Sequence, residues 1–142
     1  NDSNQDDLRR IPDTPIAYWV DKNTRDIFTN KKVIDYATLF QGIITGDNEK
    51  FVRRWHEVSL DRVTFSGIDI DKVDLKAKYW LPYNKGGESR RWYGNHELVV
   101  NFRNGGRDFT RGKHQFSEFF LKPCFSWTYI SSTVLATRYF PQ

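Results

Sequence analysis

The chain has 142 residues, 38% hydrophobic and 16% aromatic, with a formal net charge of +4, and its mean hydropathy is -0.71. That length fits one domain around a single core, and the composition makes that core lean on large rings as much as on aliphatics. A single cysteine, Cys124, excludes an internal disulfide framework and fits a reducing compartment, and no apolar run approaches the roughly 18 residues of a membrane span.

Residues 1–12 are polar and acidic and read as a lead-in or linker, leaving 13–142 as the domain. Thr14-Pro15 has the form of an N-cap followed by proline in the first helical position. Ile16, Trp19, Val20, Ile27 and Phe28 then recur at helical spacing, so the pattern predicts an amphipathic helix over 15–29 that serves to pack.

Ile43-Ile44 closes a short strand, and Thr45-Gly46-Asp47-Asn48 is dense in turn formers. Asp47 or Asn48 would cap a helix with Phe51, Val52 and Trp55 on one face and Lys50, Arg53 and Arg54 on the other. Free amides at a helix start beside cations make a seat for phosphate; an ordinary capped helix explains the same residues. Residues 61–75 form a polar connection, and alternation from Val73 to Tyr79 predicts a strand.

From Tyr79 to Phe102 the chain packs six aromatic rings, Gly86-Gly87, Lys85, Arg90 and Arg91 into one stretch. Rings and guanidinium forks beside flexible backbone suit a surface that grips phosphates and stacks on bases. A hairpin with core rings and a solvated charged rim is the plainer alternative. Leu98 to Phe102 reads as a strand, and Asn104-Gly105-Gly106 as the turn of a hairpin over 97–111. Phe116, Phe119, Phe120 and Leu121 suggest a helical turn, and the chain from Phe125 onward favours strands. The elements add up to an α+β domain, with the N-terminal helix packed on a mixed, mainly antiparallel sheet.

Charge is distributed unevenly. Residues 1–49 hold nine acids and six bases, whereas residues 76–113 hold nine bases and three acids. A basic stripe interleaved with aromatics favours a polyanion partner, with a basic solvated face as the alternative. Neither a membrane nor a metal partner is expected: His56, His96 and His114 lie far apart without cysteine or histidine companions at zinc spacing. Asp61, Asp74 and Lys76 imitate the carboxylates and lysine of a magnesium-dependent nuclease, a spacing that arises easily in a chain with 28% charged residues. Leu81-Pro82-Tyr83-Asn84 has the wrong order for the motif that holds an exocyclic amine in amino-methyltransferases, and no glycine-rich cofactor fingerprint occurs.

Four blocks carry a resemblance: Ile16-Ala17-Tyr18-Trp19-Val20; Gly42-Ile43-Ile44-Thr45-Gly46-Asp47-Asn48-Glu49-Lys50-Phe51; Pro82 to Gly87 with Arg91-Trp92-Tyr93-Gly94-Asn95; and Trp127 with Ile130-Ser131-Ser132. In that order, across most of the chain, they resemble the part of BREX-type phage-defence adenine-specific DNA methyltransferases that follows the catalytic domain. Gly42, Thr45, Gly46, Asn48 and Phe51 also look like the start of a TaqI-type specificity domain, found in restriction-modification enzymes.

The resemblance implies a target-recognition fragment that binds double-stranded DNA and is not itself catalytic. The parent would flip an adenine out of the duplex and methylate it from S-adenosylmethionine held in an upstream methyltransferase domain. Lys50, Arg53, Arg54, Lys85, Arg90 and Arg91 would meet phosphates or guanine edges, Asn84 and Asn95 adenine edges, and Tyr83, Trp92 and Tyr93 would wedge or stack. The family continues past Arg138-Tyr139-Phe140-Pro141, so with no methionine, position 1 included, the chain is expected to be a piece of a longer cytoplasmic protein. A protein-interaction domain, docking other defence subunits or an inhibitor, is the alternative.

Overall fold

A computed structural model describes residues 6, 9–16, 19–65, 69–110, 117–128 and 134–141. The chain divides into two compact units, Asn1–Phe40 and Gln41–Gln142. The architecture is α+β as expected, with short helices and 3₁₀ turns and two antiparallel sheets. Parallel pairing is confined, among the described residues, to isolated bridges at Val63↔Trp80 and Trp92↔Arg138. No helix there is long and apolar enough to cross a membrane.

In the first unit the helix is much shorter than its apolar spacing predicts: α1 runs only from Lys22 to Ile27. Thr14 sits at φ 44°, in the left-handed region, and so cannot be the extended N-cap residue the sequence suggests. Asp21 takes that role, accepting from the Thr24 amide at 2.9 Å and the Thr24 hydroxyl at 2.8 Å. Those bonds hold its carboxyl below the usual 3.8. With no buried residue on α1, packing offers nothing to extend a helix that falls far short of the ~12 residues needed to persist alone.

The second unit is built on three strands in the order β1-β3-β2, where β1 is Val52–Arg54, β2 is Trp80–Pro82 and β3 is Leu98–Asn101. Both outer strands run antiparallel to β3, with Val52↔Val100 and Arg54↔Leu98 on one side and Leu81↔Val100 and Pro82↔Val99 on the other. Val99 and Val100 are buried at 2% and 0% exposure. Phe51, Ile70, Leu81, Val100, Phe102 and Phe109 form the core, with Ile43, Val73, Leu75 and Tyr83 packed against it. The Phe51 and Phe109 rings meet edge to face at 5.0 Å.

This sheet explains three departures from the sequence pattern. The helix after Asp47, α2, is one turn, Asn48–Phe51, because β-branched Val52 is drawn into pairing with Val100. Tertiary pairing outweighs a propensity difference of about 0.5 kcal/mol per residue. Alternation over 73–79 reports burial of Val73 and Leu75 but no strand; the chain turns at Asp74, whose carboxylate accepts from the Lys76 amide, and β2 starts only at Trp80. Nor does Asn104-Gly105-Gly106 close a hairpin, although its residues take φ 57°, 68° and 73°. Both edges of β3 are already paired with β1 and β2, so no edge is left for a returning strand. Ile43-Ile44 is likewise not part of a strand.

The second sheet pairs β4, Cys124–Trp127, with β5, Thr137–Phe140, as the strand-favouring run from Phe125 onward predicts. Arg138 and Phe140 are buried on one face, while Phe125, Trp127 and Tyr139 alternate outward.

Candidate nucleic-acid interface

Strands β2 and β3 are neighbours joined by residues 83–97, a connection far longer than a hairpin turn needs. Connections of this length inside a compact unit are usually functional. Its feet are fixed on the first sheet. The Tyr83 amide donates to the Leu98 carbonyl at 2.9 Å, extending the ladder, and the Tyr83 hydroxyl donates to the Ile43 carbonyl at 3.1 Å. Burial pushes that phenol above its usual 10.0.

Its tip is fixed on the second sheet. The Trp92 amide donates to the Thr137 carbonyl and the Trp92 carbonyl accepts from the Tyr139 amide, both at 2.9 Å. Between these anchors the loop closes on itself: Asn95 Nδ2 donates to the Glu88 carbonyl at 3.2 Å, and the Arg90 side chain crosses Gly94 so closely that a Cβ there would lie 2.6 Å from Arg90 Cδ. Trp92 and Asn95 take φ 71° and 61°. Such a conformation costs a bulky residue roughly 1–2 kcal/mol and persists only where the surroundings enforce it, as the two bonds to β5 do here.

The result is a braced loop with its polar and aromatic groups outward. Arg90, Arg91, Trp92 and Tyr93 are exposed, the two rings at 73% and 66%. Arg90 reaches Glu88 only at 3.4 Å, in an exposed pair that contributes little. Asn84 is exposed and its Nδ2 lies 3.7 Å from Cys124 Sγ, while Lys85 is half-buried. Burial raises the Cys124 thiol above its ordinary 9.0, against the opposing hydrogen bond from Asn84, which suits an inert packing residue.

The other cations divide between the two ends of the sheet. Arg54 faces Leu98 across the ladder, at the end from which the loop leaves, and is exposed. Lys50 lies at the opposite end, on α2, with its ammonium 5.0 Å from the Phe51 ring. Arg53 folds its guanidinium back onto the Glu49 and Val52 carbonyls. At the start of α2 the Asp47 carboxylate accepts from the Lys50 amide at 3.0 Å, so that amide is already engaged. Thr45, at 2% exposure, donates to Asn48 Oδ1, Gly46 takes φ 73° and Phe51 enters the core, so these turn residues shape the fold; Gly42 lies in open space.

Among the described residues no three His, Cys, Asp or Glu gather as metal ligands. Asp61 pairs with its neighbour Arg62 at 3.4 Å, and Asp74 is engaged in its own turn.

Two groups escaped sequence reasoning. The outward rings Phe125 and Tyr139 meet at 5.3 Å, and the alternation within CFSW and TRYF carried that signal. His96 stacks on Tyr93 at 4.4 Å and lies tilted against Phe140 at 4.5 Å, which no motif announced. Burial lowers the His96 imidazole below its usual 6.5; the Arg138 charge acts the same way and Glu97 opposes both. A base with a depressed folded pKa contributes stability that is complete above its unfolded value and is lost as pH falls through the folded value. Thermal unfolding of the chain is therefore expected to show falling stability below about pH 6.5, with a flatter profile in His96→Gln. Identical slopes for the two would contradict this account of the histidine.

No family model matches the chain. It is 32% identical over 149 residues to the adenine-specific methyltransferase PglX of Lacticaseibacillus casei (strain Zhang), covering 96% of this chain and 12% of that protein. It is also 32% identical over 141 residues to the adenine-specific methyltransferase BrxX of Escherichia coli O9:H4 (strain HS), covering 97% of this chain and 11% of that protein. The chain thus spans about an eighth of the length of the curated relatives it matches. Over nearly its whole length it is related in sequence to one segment of adenine-specific methyltransferases.

Proposed function

We propose that this chain is the DNA target-recognition segment of an adenine-specific DNA methyltransferase of a BREX-type phage-defence system, and that loop 83–97 is its DNA-reading element. The observation that carries the reading is the loop itself: two arginines and two rings held outward on strained backbone, Trp92 73% exposed at φ 71°. Kinship with two adenine-specific methyltransferases supports the same reading.

Lys85, Arg90, Arg91 and Arg54 contact phosphates or guanine edges, and Asn84 and Asn95 supply amides for adenine edges. Trp92 and Tyr93 wedge or stack, with Tyr83 at the loop's base. Lys50 and Arg53 extend the phosphate track to the far end of the sheet. In the parent, an adenine is flipped from the duplex and methylated from S-adenosylmethionine. In this reading the S-adenosylmethionine pocket is assigned to the parent's upstream methyltransferase domain.

Tryptophan fluorescence tests the assignment of Trp92. Adding duplex DNA is expected to quench the emission, and Trp92→Phe to remove most of the quenching while leaving phosphate-driven binding in place. Undiminished quenching in the variant would contradict the wedge.

A second reading rests on a different surface. The outward face of β4 and β5, with Phe125 63% and Tyr139 41% exposed, has the aromatic character of a protein-binding hot spot and would dock the parent or another defence subunit. Loss of duplex binding on Arg90 and Arg91 substitution favours the first reading. Loss of a protein partner alone favours the second.

A further inference from the structure

Arg138 is the largest fully buried side chain among the described residues, at 0% exposure, and its Nε, Nη1 and Nη2 have no hydrogen-bond partner. A guanidinium stays charged inside a protein and cannot escape this situation by becoming neutral. Neutral burial is therefore closed to it, and an uncompensated interior charge is among the costliest features a fold can carry. Its position shows what it is near. Arg138 lies across the strand pair from Ser126, two residues from Phe140 on the same buried face of β5. The tip of loop 83–97 pairs alongside the strand at that residue, Trp92 forming a parallel bridge to Arg138.

A second donor shares the place. The ring of His96 rests on Phe140, and its Nε2 is also buried without a partner. Two orphaned nitrogen-bearing side chains, one of them permanently cationic, thus lie beside a loop tip that carries the exposed Arg90 and Arg91. The pair lacks an acceptor, and none of the described protein groups supplies one.

We infer that Arg138 and His96 form an anion seat beside the tip of loop 83–97, built for a tetrahedral phosphate whose oxygens accept from the guanidinium fork and from the imidazole. A guanidinium matches phosphate in two parallel hydrogen bonds, a geometry a lone ammonium cannot provide. The seat is closed in the free chain: Arg138 is fully buried, and the tip's main-chain bonds to Thr137 and Tyr139 flank it on either side. Entry requires the tip to lift, which couples occupancy to the position of Arg90, Arg91 and Trp92. The inference rests on the proposed DNA recognition only for the source of the phosphate, a backbone phosphodiester; free phosphate shares the chemistry.

Arg138→Met and the native chain are compared by thermal unfolding in sodium chloride, in sodium phosphate at matched ionic strength, and with a short duplex. An orphaned charge predicts that Arg138→Met in chloride is at least as stable as the native chain. Phosphate or duplex is expected to raise the native Tm by roughly 3–8 °C, and to raise that of the variant distinctly less. An effect from duplex but not free phosphate identifies a backbone phosphodiester as the ligand. An effect from phosphate alone keeps the seat and removes DNA as its source.

If Arg138→Met is strongly destabilised in chloride, the guanidinium has a structural partner and the inference fails. It fails equally if phosphate and duplex shift both proteins alike. Duplex binding of unchanged strength in the variant, without any phosphate effect, would leave DNA recognition standing and sink the seat.

Discussion

Gly106→Ala is expected to cost about 2–5 kcal/mol of stability, summing a left-handed backbone penalty of about 1–2 kcal/mol and an overpacking penalty of about 1–3 kcal/mol. Gly106 takes φ 73°, and a Cβ there would lie 2.8 Å from Phe102 Cε2 and 2.9 Å from Phe109 Cε2. Both rings are buried in the core and edge against further rings, so neither can move aside without disturbing Phe51 or Phe120. Gly105 provides the internal comparison: its φ is 68°, yet nothing lies within 4 Å of a Cβ added there. Gly105→Ala should therefore show only the backbone part, about 1–2 kcal/mol. Urea unfolding of both variants separates the two contributions. Equal losses would mean that the Phe102 and Phe109 rings are not packed against Gly106 as described.

The same turn shows where sequence reasoning reads well and where it stops. Asn104-Gly105-Gly106 correctly marks a turn, and the positive φ of all three residues is what the structure adds. What it cannot show is that β3 already has neighbours on both sides, a fact decided by Val52 and Leu81, tens of residues away. The apolar run makes the strand at Leu98–Asn101 legible, whereas Val52 fits a helical face in sequence and joins the sheet only through its pairing with Val100. Alternation at Val73 and Leu75 revealed burial without revealing that the backbone there turns instead of pairing.

The aromatic and basic character of the loop was plain in the residues. Its braced shape was not, since the bonds from Trp92 to β5 join positions with no local signature. Least legible was Arg138, which reads as one more basic residue until its burial is seen.

Changing Lys85, Arg90 and Arg91 together to alanine is expected to weaken duplex binding roughly 100-fold at about 0.15 M salt, if each side chain neutralises one phosphate. The change should leave the fold intact. Arg90 and Arg91 are exposed, the Arg90 pair with Glu88 is weak, and none of the three belongs to the core. Gel-filtration behaviour and Tm close to those of the native chain, together with the loss of affinity, would assign the effect to the surface. A variant that binds as tightly as the native chain would remove these residues from the interface.

The most direct test of the account is the affinity of the native chain for a mixed pool of duplex DNA, titrated from low to physiological salt beside that triple variant. The account predicts a steep fall in log K with log salt, and a slope shallower in the variant by about 0.9 for each phosphate contact removed, close to 2.7 in all. Duplex binding with the same slope in both proteins, or no duplex binding even at low salt, would contradict the assignment of loop 83–97 as the DNA-reading element.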